Sequence, residues 1–343
     1  MIGRRPAGAL LVVALCAALG AAPLGCGDTQ DVVVVYTALD QIHSEPILKA
    51  FERASGITVR PVYDTEDSKT TGLVNRLIAR RAEPDCDVHW NNEIVQTVRL
   101  AEMGLLAEYR SPGAERIPPE FRDRDARWTG FAARMRVVIY NTDLVKADDL
   151  PAGLSAFTDA KWRGRAAMAR PFFGTTLTHV AILDQRWGPE RLQEWLGAVR
   201  ANDTALCPGN ATVRDLVVAG ERAFGLTDTD DAWAAMQAGK PVRVLVPDAA
   251  DGAVLIPNTV ALVVGCPHPE AGRRLIDYLL SAEVERRLAR SASAQIPLGT
   301  DLADEKTPWD ALRAAGAMPV DWARAAGAIK DVVAVSRQVG MDQ

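Results

Sequence analysis

Asp31-Val32-Val33-Val34-Val35-Tyr36-Thr37 is an unbroken β-branched run, the signature of a strand buried on both faces of a parallel sheet. The chain then alternates helix and strand. Ser44-Glu45-Pro46 opens a helix, with Ser as cap and Pro tolerated in the first turn; Ile47, Leu48, Phe51 and Ala54 form its apolar face and Gly56 stops it. Ile57 to Tyr63 reads as a second strand, Lys69 to Ala82 as a helix, Cys86 to Trp90 as a third strand, and Glu93 to Met103 as a third helix ended by Gly104. Regular alternation of this kind predicts a doubly wound, mostly parallel α/β sheet.

A second α/β block comes after a Pro-rich stretch from Ser111 to Arg127. It opens on the strand Met135 to Asn141 and includes Ala166 to Ala169, the Gly174-Thr175-Thr176 turn, and helices near Trp187 to Ala201 and Asn210 to Ala219. It ends on Gly225-Leu226-Thr227-Asp228-Thr229-Asp230-Asp231-Ala232-Trp233, an apolar strand that stops at an acidic turn and feeds a helix. Open α/β sheets place ligands at such strand ends. One Asp suffices to cap a helix, so three acids in four residues point to a site for a cation.

The first residues read as targeting rather than fold. Arg4 and Arg5 precede an apolar stretch from Ala7 to Ala22 and then Pro23-Leu24-Gly25-Cys26, a secretory leader over residues 1–25 that is too short for a membrane span. Just over three hundred residues then remain, which by length suggests two domains, and 48% hydrophobic with 24% charged residues suits a well-cored protein. A net charge of −5 argues against a nucleic-acid partner. Of the later cysteines, Cys207 and Cys266 form the nameable disulfide pair; the alternative is that Cys86, Cys207 and Cys266 are all buried thiols.

The run Tyr36 to Asp40, the stretch Ala54 to Val59, Asp87-Val88-His89-Trp90-Asn91-Asn92-Glu93, Arg136 to Asn141 and Leu275 to Ser281 together resemble type II periplasmic solute-binding proteins of ABC transporters, closest to the ferric-binding branch. The resemblance implies two doubly wound α/β lobes joined by two crossover strands that close on a ligand as a hinged trap. It sets lobe 1 at 31–133 plus 258–300, lobe 2 at 134–257 plus 301–343, and crossovers at Arg134 to Asn141 and Val254 to Asn258. It also implies a monomer that hands a small ligand or ion to a membrane permease. The Leu-Gly-Cys ending resembles a lipoprotein processing site, with Cys26 as the anchor.

The family's iron ligands fall here on Asp40, on Asn92 or Glu93, and on Asp230 and Asp231, so phenolates are replaced by a carboxylate-rich oxygen set. Such a set suits hard cations, takes Fe³⁺ with an added anion, and equally suits an organic ammonium group. The family's anion cradle falls on Gly174, Thr175, Thr176 and Asn210, with Arg134 beside it. Asn91, Asp228 and Asn258 complete the expected binding set. The resemblance thus leaves two cargoes: a metal cation with a synergistic anion, carried rather than kept as cofactor, or a zwitterion such as an aminoalkylphosphonate. A secreted hydrolase is the distant third reading; no GxSxG or HExxH is present and the four histidines are scattered. His89 reads as a core or cleft-wall residue rather than a ligand, and Trp90 and Trp233 as candidate cleft walls. Asp64-Thr65-Glu66-Asp67 reads as a rim loop.

Overall fold

The computed structural model describes Gly3 and residues 31–64, 71–247, 252–314 and 316–343. The leader, Cys26 and most of the 64–67 loop lie outside the described residues. The chain begins with β1 (Val32–Thr37), α1 (Gln41–Ser55), β2 (Thr58–Tyr63), α2 (Thr71–Ala79), β3 (Val88–Asn91), α3 (Val95–Glu102) and the short β4 (Leu106–Ala107). The long β5 (Thr129–Asn141) leads to β6 (Ala166–Ala169), α4 (Gly174–Trp187), α5 (Pro189–Ala201), β7 (Ala205–Cys207), α6 (Asn210–Val218), β8 (Phe224–Asp228), α7 (Thr229–Gln237) and β9 (Val242–Leu245). β10 (Leu255–Val263) then returns, and α8 (Pro269–Leu279), α9 (Ala282–Arg290), α10 (Asp310–Arg313), α11 (Trp322–Gly327) and α12 (Ile329–Gln338) complete the chain.

The strands run β2-β1-β3-β10-β5-β8-β6-β7, with β4 beside β10 and β9 beside β5. Parallel pairing is confined to the flanks, β2-β1-β3 on one side and β8-β6-β7 on the other. Every antiparallel pair involves β5 or β10, so the sheet is less parallel than the alternation predicts. The reason is that β5 passes from one half-sheet to the other and β10 lies antiparallel between β3 and β5. β5 pairs with β10 through Met135 and with β8 from Arg136 onward.

Burial follows the predicted apolar face of α1 except at Ala54, which is exposed. Ile47, Leu48 and Phe51 of α1 and Leu73, Val74 and Leu77 of α2 are buried, as are Val33, Val35 and Tyr36 of β1. Fully burying each such side chain contributes about 1.5–3 kcal/mol, which is why propensity alone need not hold these short helices. In the second half, Phe224 of β8 meets Phe157 and Trp162 edge-on at 5.1 and 5.3 Å. Trp90 is fully buried against Phe131 and Trp233 packs on Trp309, so neither tryptophan walls a cleft. α11 lies against both α3 and α4, and Trp322 Nε1 donates to the Glu120 carbonyl at 3.1 Å. Cys86, Cys207 and Cys266 are all free thiols, which removes the Cys207–Cys266 disulfide from consideration.

Gly225 lets α6 close on this half-sheet. A Cβ there would run into Val213 Cγ1 and lie 2.8 Å from the Ala167 carbonyl oxygen. Gly225→Ala is expected to destabilise the protein by about 1–3 kcal/mol, read as a lower urea midpoint.

Candidate functional site

The loops that leave the carboxyl ends of the parallel strands converge, as doubly wound sheets dictate. They enclose a cavity of about 110 Å³, lined among others by Asp40, Asn92, Arg134, Phe173, Gly174, Thr175, Thr176, Asn210, Arg214, Asp228, Asp230 and Asp231. Several water volumes fit in that space, which suits an ion with its counter-ion or a small zwitterion. Asp40 comes from the β1–α1 turn and Asn92 from the β3–α3 turn. Gly174 to Thr176 begin α4, Asn210 begins α6, and the acids span the β8–α7 junction.

Asp228 holds this assembly together. It is buried, and Arg136 Nη1 donates to its Oδ1 at 2.6 Å. Its Oδ2 accepts from Thr175 Oγ1 at 2.5 Å and from Asn210 Nδ2 at 2.9 Å. Arg136 also donates to Thr175 and Thr176, and Thr176 to Asn210. The first residues of α4 and α6 are thereby fixed to β5 and β8. Asp228 occupies the N-cap position of α7 yet makes no cap bond, because both its oxygens are already used.

Each acid of the turn has an arginine. Arg134 Nη1 lies 3.1 Å from Asp230, and Arg214 Nη1 lies 3.5 Å from Asp231. Thr227 Oγ1 donates to Asp231 Oδ2 at 3.2 Å. Carboxylate oxygens of Asp228, Asp230 and Asp231 lie within 4.8 Å of one another. Burial pulls the Arg134 guanidinium down, but Asp230, Asp228, Asp40 and Asp231 outweigh it and hold it above its ordinary value. Arg134 thus pairs directly with Asp230 and sits in the field of the neighbouring acids. Its Nε and Nη2 are buried and without a hydrogen-bond partner, as is Asn92 Oδ1.

The residues that precede α4 and α6 bring no capping side chain of their own. Phe173 precedes α4 and Gly209 precedes α6, and neither makes a cap bond. Gly174 has φ +59°, a conformation that favours glycine. Residues at the start of both helices line one cavity, and helix N-termini attract oxyanions through their amide N–H groups and dipoles.

Three expected residues, Glu93, Asn91 and Asn258, do not line the cavity. Glu93, expected as a metal ligand, is fully buried and does not line the cavity. Its carboxylate accepts from Val95 N, Gln96 N, Asn91 Nδ2 and Thr178 Oγ1, at 2.8 to 3.1 Å. It caps the start of α3, uses Asn91, and ties that turn to α4. Asn258 is equally internal; its Nδ2 donates to the Phe131 and Ala132 carbonyls and to Gln295 Oε1. His89 is a core residue, kept neutral by burial, which pushes its pKa down to about 4.

The sequence does not single out Arg136 or Arg214 as site residues. Their signals are present but weak: Arg136 lies two residues beyond Arg134 on one strand face, and Arg214 one turn beyond Asn210 on α6.

This geometry predicts two outcomes. Asp228→Ala strands the buried Arg136 charge and should cost about 3–5 kcal/mol in denaturant unfolding. Burial raises the Glu93 carboxyl from 4.5 to about 7, against opposing hydrogen bonds from Thr178, Gln96, Val95 and Asn91. A raised carboxyl binds more protons folded than unfolded, so its stabilisation is full at acid pH and falls as pH rises from 4.5 through 7. Glu93→Gln should therefore flatten the stability-against-pH curve over that window, by at most roughly 3 kcal/mol.

Comparison with known proteins places the fold and its relatives. The putative 2-aminoethylphosphonate-binding periplasmic protein of Salmonella paratyphi A is 27% identical over 295 residues, covering 82% of each chain. The Fe(3+)-binding periplasmic protein of Serratia marcescens is 28% identical over 196 residues, covering 57% of this chain and 56% of that one. Iron-bound HitA from Pseudomonas aeruginosa superposes with a TM-score of 0.79 at 23% identity, covering 90% of this chain and 99% of that one, and so shares the type II periplasmic binding protein fold. The family described as bacterial extracellular solute-binding protein matches residues 47–317, and the chain belongs to it.

Proposed function

We propose that the protein is the substrate-binding component of an ABC importer, and that its cargo brings positive and negative charge into the cavity together. The observation that carries this reading is the alternation of Asp230, Asp231 and Asp40 with Arg134 and Arg214 beside the N-termini of α4 and α6. A bare cation would face the arginines and a bare anion the carboxylates. Only a paired charge satisfies both.

The first cargo is a hard metal cation, ferric iron among them, entering with an oxyanion. It is favoured by the three carboxylates within 4.8 Å and by the iron named in the Serratia relative. Asp230, Asp231 and Asp40 would hold the cation, and Thr175, Thr176, Asn210 and Arg134 the anion. The second cargo is an aminoalkylphosphonate, with the acids on its ammonium group. It is favoured by the arginine on each acid of the turn, by the Asp228 oxygens already engaged within the protein, and by the ligand named in the Salmonella relatives.

In this reading the lobes are residues 31–133 with 258–300, and 134–257 with 301–343, swinging on β5 and β10. The chain acts as a monomer without catalysis and delivers cargo to a membrane permease. Residues 1–25 direct export to the periplasm or cell surface, and Cys26 carries the lipid anchor.

Metal analysis of protein purified without chelator, then calorimetry with Fe³⁺ plus phosphate and with 2-aminoethylphosphonate, tests the reading. Binding of one of the two is expected, with Asp230→Asn/Asp231→Asn weakening it by about 2–5 kcal/mol. Iron bound only with phosphate selects the first cargo; metal-independent phosphonate binding selects the second. Undiminished binding in the double variant, or no binding of either by the wild-type protein, overturns the assignment.

A further inference from the structure

β5 carries one residue more than β10 requires. Pro257 pairs with Ala133 and Asn258 with Phe131, so Ala132 has no partner and forms a bulge. Ala132 adopts φ +42°, a left-handed conformation that costs an alanine about 1–2 kcal/mol. Side chains from elsewhere hold it there. Ala132 N donates to Glu285 Oε1 at 2.8 Å, and its carbonyl accepts from Asn258 Nδ2. Glu285, fully buried at the start of α9, also accepts from Leu298 N, Gly299 N and Arg116. Gln295 Oε1 accepts from Asn258 at 2.8 Å.

Beyond the bulge the faces of β5 are set. Arg134 lines the cavity and meets Asp230, and Arg136 on the same strand face is buried against Asp228, while Met135 between them packs with Ile296 and Trp309. Side chains alternate strictly along a strand, so one residue fewer would exchange these faces.

We propose that the Ala132 bulge aims Arg134 into the cavity and Arg136 onto the buried Asp228, and that Glu285 and Asn258 are the positioning residues that enforce it. Neither Glu285 nor Asn258 lines the cavity; both act through the backbone of β5. The inference rests on the cavity being the cargo site for its functional meaning, but its geometry can be tested without any ligand.

The test is arginine labelling with phenylglyoxal, read by peptide mass spectrometry on the full chain. Arg134 is 5% exposed and Arg136 fully buried, so both are expected to be protected in the wild-type protein. Deletion of Ala132 should leave a folded protein in which both label several-fold faster. Asn258→Ala should produce the same change at Arg134, the residue nearer the bulge. Asn202→Ala is the matched control. Asn202 also donates from a buried amide to two backbone carbonyls, those of Phe157 and Asp159, but lies away from β5. It should leave both arginines protected. If the deletion variant does not fold, Asn258→Ala decides. Continued protection of Arg134 in folded Asn258→Ala protein, or equal exposure in Asn202→Ala, overturns the proposal. Loss of cargo binding on Asp230→Asn without any labelling change concerns the cargo reading alone.

Discussion

One buried ion pair, Asp228 with Arg136, organises the charged end of this molecule. Arg136 is fully buried and Asp228 nearly so, and a buried charge left without its partner costs several kcal/mol. Neither can move independently. Because the same carboxylate holds Thr175 and Asn210, the starts of α4 and α6 are fixed by an electrostatic necessity rather than by loop propensity. The remaining acids and arginines then gather on a prearranged surface. Repulsion among Asp40, Asp230 and Asp231 is offset by Arg134 and Arg214, so the cluster is tolerable before any cargo arrives.

The two long strands serve the same end. β5 supplies Arg134 to the cavity and Arg136 to the Asp228 beside it, while its first residues pair with β10 in the other half of the sheet. A strand shared between two half-sheets couples the position of the arginines to the relation between those halves. The bulge at Ala132 lies where this coupling is made. α11, lying against both α3 and α4, adds a second link between elements that flank the two half-sheets.

Much of the fold is readable from residues because the signals are local. The β-branched run at Val32 to Val35, the apolar stripe of α1 and the glycine stops are each decided within a few positions. The site is legible by position but not by partner. Asp228, Asp230 and Asp231 stand out as an acidic turn at a strand end, yet nothing in the sequence says that Arg136, more than ninety residues away along the chain, will neutralise Asp228. Three acids alone suggest a cation; three acids each facing an arginine describe a charge-balanced surface. The same blindness to long-range pairing makes Glu93 look like a ligand. Its carboxylate is spent on two backbone amides of α3 and on Thr178, a contact 85 residues away. Asn258 misleads for the matching reason, since its amide serves the bulge of a neighbouring strand. Cys207 and Cys266 are pairable on paper, but β7 is the edge strand of one flank, with β6, β8 and β5 between it and β10.

The central claim is that carboxylates and guanidiniums together enclose one small cargo bearing both charges. A crystal structure of the protein as purified from cells, without chelator, measures this most directly. The account predicts density for one small group within hydrogen-bonding or coordination distance of both Arg134 and the Asp230–Asp231 pair. A structure in which the cargo lies elsewhere, with these side chains satisfied only by one another and by solvent, would contradict it.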